Sequence, residues 1–307
     1  MSSFTIALTT VGMMLLYAVP GFIFVKSRKI KTDNIPAFAV MLLYLCAPFQ
    51  TIDAMQRIEL SGQMVKSLAI TIGIGLLIMG GMLATVYFIT RKKQEDPRVR
   101  ICTTATTFGN TGFMGIPLLE ALLPDYPEAV AFASAFFIAM NVMMWTFGSA
   151  IITRDKKYVR IKKVFLNPTM IGFLVALVFF LGRIKITGQL NDFVTLLSKM
   201  STALCMLILG MRLAAIPLKP MLTSGLQYIA VGIKLIVLPL IALGFCSLIP
   251  IPENHRLTIY ILCCVPVGNV VLSFSEILGS GQDTAANVVL LSTLLSVVTI
   301  PLMLLLV

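Results

Sequence analysis

The sequence carries little charge and few of the residues that enzymes use. Only 12% of its 307 residues are charged, about half the fraction of a typical soluble protein. Its single histidine, His255, lies beside Glu253 in what we predict to be a solvated loop, so a metal site with two histidines is excluded. There is no Walker-type phosphate loop and no Gly-x-Ser-x-Gly nucleophile elbow. We therefore expect no enzymatic activity, no ATP hydrolysis and no cofactor.

Long apolar runs dominate the rest of the chain. Hydrophobic residues make up 58% of the sequence, and the mean hydropathy is +0.97. Ten runs approach or exceed the ~20 residues that a helix needs to cross the hydrocarbon core of a bilayer. The sequence thus predicts an all-α polytopic membrane protein with ten transmembrane helices. The predicted spans are 5–25, 35–51, 67–90, 99–123, 128–153, 168–184, 190–213, 223–249, 258–279 and 285–307.

The six cysteines belong to these apolar runs. None of them has the spacing of zinc ligands. Cysteines in apolar runs usually behave as small, buried hydrophobic residues. No metal site is predicted. The cysteines are Cys46, Cys102, Cys205, Cys246, Cys263 and Cys264.

The net charge of +11 is unevenly distributed between alternate loops. If the N-terminus lies outside, the inward loops hold 17 of the 24 Lys and Arg residues, Arg212 among them. This positive-inside asymmetry predicts a plasma-membrane protein with both termini extracellular, and it gives no reason to expect a nucleic-acid partner. The first basic residue, Lys26, follows the first apolar run instead of preceding it, so this run is not predicted to be a cleaved signal peptide.

A basic linker divides the chain into two sets of five spans. We predict a first repeat over residues 1–154, a cytoplasmic linker over 155–167 and a second repeat over 168–307. Because five is odd, the second repeat is inverted relative to the first. In each repeat the fourth span is interrupted by a Gly-Asn pair, at 109–110 and at 268–269. Broken helices at corresponding points of inverted repeats are typical of secondary carriers.

The two breaks predict a hydrated binding site halfway across the bilayer. Non-helical backbone survives at membrane depth only where protein buries it or where it lines a watery cavity. A half-helix that starts at Pro117 would offer free N–H groups and a dipole end that favour an anion, and Asn110 would add neutral donors. Alternatively, the glycines permit close helix packing and the asparagines bridge two helices.

The candidate substrate-binding residues lie at the breaks or in the fifth span. They are Asn110, Thr111, Gly112, Gly115, Pro117, Asn141, Pro266, Gly268, Asn269 and Ser273.

Two charged residues are candidates for coupling or charge compensation. Lys234 lies deep in the eighth span, where a buried ammonium is costly and indicates function. It could pair with an acid, attract an anionic substrate, stand where another carrier holds Na⁺, or snorkel to the interface. Glu276 follows the second break and could instead mark a helix end. Lys199, in the outer third of the seventh span, is expected to snorkel.

Four segments of the chain carry a family resemblance. They are Asn110-Thr111-x-x-x-Gly115-Ile116-Pro117-Leu118-Leu119, Pro266-x-Gly268 with the following Glu276, Lys234-Leu235-x-x-x-Pro239, and 291–296 with the following Pro301. These segments are similar to the auxin efflux carrier family, which includes plant auxin exporters and bacterial permeases linked to malate and malonate. The resemblance implies two inverted five-helix repeats in which the broken helices 4 and 9 cross. It also implies elevator-like movement, with helices 1, 2, 6 and 7 as scaffold and helices 3–5 and 8–10 carrying substrate.

The resemblance also suggests individual roles. Asn110 matches the asparagine that meets the substrate carboxylate, and Pro117 and Pro266 match the prolines at the crossing. Asn141 falls where plant members have a polar residue four positions before a tryptophan. At Asn269 the plant members carry isoleucine, and their long cytoplasmic loop is absent here, so their phosphorylation control is not transferred.

We interpret the chain as a secondary transporter of a small organic anion that resembles malate or malonate. The expected partners are this anion and the lipid bilayer, and the chain could form a homodimer. Its seven aspartates lie in or near predicted loops, so the driving force is left open between uniport and proton symport. The alternatives are a Na⁺-coupled organic-anion symporter and a non-transporting membrane receptor or scaffold.

Overall fold

The apolar runs form helices, as the need to pair every backbone amide within a bilayer requires. A computed structural model describes residues 3–154, 168–215 and 223–307. Within these residues there are twelve helices and no strand beyond one isolated bridge, and seven of the helices are long and apolar enough to cross a membrane. The predicted linker 155–167 lies outside the described residues.

The helices are numbered here in chain order. α2, α6 and α9 each contain a π-helical turn, as does the start of α5. The bounds are α1 Ser3–Lys26, α2 Thr32–Gln56, α3 Gly62–Thr90, α4 Pro97–Ala105, α5 Thr111–Leu122, α6 Glu128–Thr153, α7 Pro168–Leu181, α8 Gln189–Ala215, α9 Gly225–Ser247, α10 Glu253–Cys264, α11 Asn269–Ile277 and α12 Gln282–Leu306.

The two predicted interruptions are present. The fourth apolar run folds as α4 and α5, and the ninth folds as α10 and α11. The first helix after a break begins earlier than expected, however. α5 starts at Thr111 with a π-helical turn, whereas a start at Pro117 was predicted, because the Asn110 carbonyl accepts bonds from the amides of Met114 and Gly115 at 3.1 and 3.0 Å.

Two backbone approaches join α1 to α8 and α2 to α7. A Cβ on Gly21 of α1 would overlap the Leu207 carbonyl oxygen of α8, and a Cβ on Gly210 of α8 would overlap the Ala18 carbonyl oxygen of α1. The two helices therefore touch backbone to backbone, as small residues permit in membrane proteins. A Cβ on Gly172 of α7 would stand 2.5 Å from the Pro48 Cα of α2. These four helices make one tightly packed group.

The remaining helices pack beside this group, and the outer surface is apolar. α3 lies on α6, where Gly75 faces Ala139 and Phe136. Large apolar side chains such as Phe88, Val178 and Leu196 are exposed on the outside. An apolar exterior of this kind is what acyl chains cover in a membrane protein.

The expectation for His255 is wrong. The residue lies in the first turn of α10, buried, with its Nε2 2.7 Å from the Thr71 hydroxyl and its ring stacked on Phe132 at 4.1 Å. Its polar neighbours Glu253 and Arg256 suggested a loop, but α10 turns the imidazole inward against α3 and α6. Its contacts are those of a packing residue.

Candidate functional site

The two breaks meet each other in a short antiparallel bridge between Gly109 and Val267. The amide of Asn110 donates to the carbonyl of Pro266 at 2.8 Å, and the amide of Gly268 donates to the carbonyl of Phe108 at 2.9 Å. Each break thus satisfies polar backbone groups of the other, which would otherwise cost several kcal/mol unpaired in a low-dielectric interior. We call this contact the crossover.

A cavity of 410 Å³ lies beside the crossover and is partly open to the outside. Five of the predicted site residues line it: Asn110, Asn141, Gly268, Asn269 and Ser273. Most of the remaining wall is apolar and partly aromatic. This includes Leu42, Tyr44, Phe113, Phe137, Met140, Trp145, Ile208, Leu272, Phe274 and Ile277.

The two break asparagines converge on one sulfur atom. Asn269 Nδ2 lies 3.1 Å from Cys205 Sγ of α8, and Asn110 Nδ2 lies 4.0 Å from the same atom. Sulfur is a weak acceptor, so neither amide is strongly engaged. In the described part of the chain, the buried Asn269 Oδ1 has no hydrogen-bond partner. The pair thus presents donors that a stronger acceptor could recruit.

Asn141 lines the cavity from α6. Its Nδ2 donates to the Phe137 carbonyl at 2.9 Å. One turn further on, Trp145 packs edge-on against Phe274 of α11, with ring centroids 4.5 Å apart. Asn141 therefore belongs to the wall, with its Nδ2 bonded to the backbone of its own helix.

The other predicted site residues lie away from the cavity lining. Thr111 contacts the Met140 sulfur at 3.8 Å, and the Gly112 carbonyl accepts a bond from Gln50 at 3.1 Å. Gly115 packs against Leu262, where a Cβ would be 2.8 Å from a methyl carbon. Pro266 contributes its carbonyl to the crossover, and Pro117 borders a separate cavity of only 30 Å³. These residues shape the break.

Lys234 is fully buried behind the crossover, which rules out snorkelling. It lies in a π-helical turn of α9, and its Nζ donates to the Cys263 carbonyl at 2.8 Å. A Cβ on Gly109 would stand 3.2 Å from both Cε and Nζ. No described carboxylate pairs with it. Gly109 itself lines the cavity, so one backbone segment separates the ammonium from that space.

Among the described residues, Arg212 is the one charged residue in the cavity lining, and the sequence interpretation missed it. It was counted as a basic residue of an inward loop, but it lies in the last turn of α8 with a side chain only 13% exposed. Its Nη1 lies 2.5 Å from Glu276 Oε1, and its Nη2 lies 3.3 Å from Oε2. Glu276, a predicted charge-compensating residue, therefore has its partner within the site.

The sequence pattern of the Membrane transport protein family, the family of the auxin efflux carriers, matches the chain twice, over residues 6–164 and 156–304. The chain belongs to this family. The resemblance inferred from the motifs is thereby confirmed, and so is the expectation of a transporter instead of an enzyme. No curated protein matches the chain.

In this member of the auxin efflux carrier family, a second polar cluster joins α2, α5 and α8. Asp53 lies one turn from the end of α2, near a loop as expected, but its carboxylate is buried. It accepts bonds from Arg57 at 2.6 Å, Ser198 at 3.0 Å and Thr195 at 3.2 Å. Arg57 also pairs with Glu120 at 2.5 Å.

The carboxylates of this cluster stabilise the charged form of Arg57. Burial lowers the pKa of the Arg57 guanidinium, but the negative charges and hydrogen bonds of Asp53 and Glu120 outweigh that effect, and the net shift is upward. Lys199, at the edge of the same cluster, is exposed. The cluster is separate from the cavity beside the crossover.

Proposed function

We propose that this transporter is a secondary carrier of a small organic anion and that the 410 Å³ cavity beside the crossover is its substrate site. The observation that carries the proposal is the pair of carboxamides from the two breaks, both turned towards a weak sulfur acceptor. A carboxylate oxygen is a far better acceptor than a thiol and would take both donors.

Charge favours an anion over a cation in this cavity. Arg212 lines it, Lys234 lies one backbone segment behind it, and no described lining residue carries a carboxylate. Most of the remaining wall is apolar, and a low-dielectric wall strengthens electrostatic contacts. The donors and positive charges fit the carboxylates of a small organic acid of malate or malonate type.

We further propose that transport follows an elevator scheme in which the chain forms ten spans as two inverted repeats. The backbone-to-backbone contacts of α1 with α8 and of α2 with α7 support a rigid scaffold. The repeated family match, which divides near the linker, supports two equivalent halves. The carboxamides belong to the crossover, which moves with the substrate in this scheme, and Cys205 belongs to the scaffold. The site therefore lies between the scaffold and the substrate-carrying helices.

The cavity opening fits an inward-facing state. Its lining includes Leu42 and Tyr44 of α2, Pro168 at the start of α7, and Arg212 and Ile277 at the ends of α8 and α11. Tyr44 lies at the middle of α2, and the other four belong to the halves of their helices that the positive-inside pattern assigns to the cytoplasmic side. In the same scheme, the Asp53–Arg57–Glu120 cluster closes the extracellular side, where both termini lie.

A Na⁺-coupled symporter is the second candidate. The buried ammonium of Lys234 next to the crossover favours a sodium-independent mechanism, because a second cation there would be repelled. Counterflow of labelled acid into proteoliposomes in choline buffer would separate the two: equal rates in sodium and choline exclude sodium coupling. A receptor or scaffold would show no counterflow in either buffer.

The site itself is tested with the purified protein and a series of mono- and dicarboxylates in a thermal-shift assay. We expect at least one acid to raise Tm in the wild type and to lose that effect in Asn110→Ala. Asn191→Ala, near the start of α8 and outside the cavity lining, is the matched control and should respond like the wild type. Equal stabilisation of wild type and Asn110→Ala would contradict the site.

A further inference from the structure

α8 and α11 touch at two levels that lie the same distance apart in both helices. Asn269 of α11 contacts Cys205 of α8, and Glu276 of α11 pairs with Arg212 of α8. Along α8, Cys205 and Arg212 are seven residues apart, and along α11, Asn269 and Glu276 are also seven residues apart. Seven residues are two helical turns, or about 10 Å. The two helices therefore run parallel and in register along the cavity, from a neutral donor end to a charged end.

The charged end faces the same space as the neutral end. Arg212 is part of the cavity lining, and Ile208 of α8 and Ser273 of α11 line the stretch between the two levels. Side chains of a helix tilt towards its N-terminus, which brings the guanidinium of Arg212 back towards Cys205. An anion held by the asparagines would thus approach a guanidinium that a carboxylate of the protein already occupies.

We propose that Arg212 is the charged contact for an acidic group entering this cavity, and that Glu276 is a built-in competitor that holds the guanidinium until the anion displaces it. The inference rests on the proposed function. Exchanging one carboxylate for another leaves Arg212 paired throughout, which avoids the cost of an uncompensated, largely buried charge. Glu276 is suited to leave because its side chain is 37% exposed and can turn to solvent.

The Arg57–Glu120 pair supplies a comparison within the same chain. It also joins an arginine at the C-terminal end of a scaffold helix to a glutamate on the helix that follows a break. Arg57 has a second carboxylate, Asp53, and does not line the large cavity. Removing Glu120 therefore leaves Arg57 paired and should not affect an anion in the cavity.

The first test measures binding of malonate to the purified full-length protein. Glu276→Gln should bind malonate about tenfold more tightly, because the competitor is gone, and Arg212→Gln should bind it about tenfold more weakly. The neutral diamide of malonate should show neither change, and Glu120→Gln should match the wild type with both compounds. A gain of affinity cannot result from misfolding, so Glu276→Gln is decisive even if Arg212→Gln is unstable.

The second test does not depend on knowing the substrate. A Ser273→Cys substitution places a thiol between the two levels, and its reaction with an anionic and with a cationic methanethiosulfonate reagent gives a rate ratio. Adding Glu276→Gln should raise the anion-to-cation ratio about tenfold, and adding Arg212→Gln should lower it by a similar factor. Adding Glu120→Gln should leave it unchanged.

The outcomes separate this inference from the proposed function. Malonate binding that requires Asn110 but ignores both Arg212→Gln and Glu276→Gln overturns the inference and leaves the carrier proposal standing. A rate ratio that responds as described, in a protein that binds no carboxylate, supports the inference and contradicts the proposed substrate class. An unchanged ratio in all variants shows that Arg212 does not act on the cavity and overturns the inference.

Discussion

Gly268 lies directly against the backbone of Gly109, so that a Cβ atom on Gly268 would stand 2.5 Å from the Gly109 carbonyl oxygen. The two backbone segments can approach this closely only because Gly268 has no side chain, whereas a Cβ on Gly109 would meet the side chains of Val265 and Lys234. The contact brings Asn110 and Asn269, the residues that follow the two glycines, to the same cavity. The site therefore depends on this one approach.

Gly268→Ala should disrupt the crossover. The added methyl meets backbone atoms that cannot move aside, and we expect a loss of about 1–3 kcal/mol of stability together with most of the transport activity. Apparent Tm in detergent and counterflow in proteoliposomes measure the two effects. Gly232→Ala in α9 is the matched control, because nothing lies within 4 Å of a Cβ at that position. Similar effects of both substitutions would contradict this account.

The side chain at position 205 should determine how readily the carboxamides of Asn110 and Asn269 donate to a substrate carboxylate. Cys205→Ser replaces a weak acceptor by a good one, which would hold the carboxamides and lower affinity for a carboxylate by about fivefold, the equivalent of one hydrogen bond. Cys205→Ala removes the acceptor and should leave affinity equal or higher. Isothermal titration with the best-binding acid measures both. Cys246→Ser, also buried but outside the cavity lining, should have no effect on binding.

Lys234→Met should preserve the fold but slow transport. Methionine fills a similar volume and avoids the cost of burying an ammonium, which offsets the lost bond to the Cys263 carbonyl, so Tm should change little. The positive charge one backbone segment from the cavity is lost, and we expect the rate of anion counterflow to fall about tenfold. A variant with the wild-type rate would show that Lys234 has only a packing role.

Asp53→Asn should destabilise the α2–α5–α8 contact. An amide cannot accept all three bonds that Asp53 now accepts, and it leaves Arg57 with Glu120 alone. We expect a loss of about 1–3 kcal/mol, discounted because Arg57 is one-third exposed. A lower apparent Tm would register it. Asp192→Asn, at an exposed position in the first turn of α8, should leave Tm unchanged, and an equal drop would refute the assignment.

Much of this protein was predictable from local properties of the chain. The length of the apolar runs determined the helices, and the Gly-Asn pairs at 109–110 and 268–269 marked both interruptions, because glycine and nearby proline weaken a helix wherever they occur. The same pairs led to Asn110, Asn269 and Gly268 as site residues, and the motif around Asn110 led to the family. The two-repeat, ten-span arrangement and its direction in the membrane stay predictions.

The three-dimensional contacts decided what those local signals could not. Arg212 looked like one more basic residue at a helix end, and it became a cavity residue only because α11 runs beside α8 in register. Cys205 looked like a small apolar residue, His255 like part of a loop, and Asp53 like a helix-end aspartate. Each acquired its environment from residues distant in the chain, whose positions depend on packing, whereas the breaks followed from the backbone preferences of the residues at the breaks themselves.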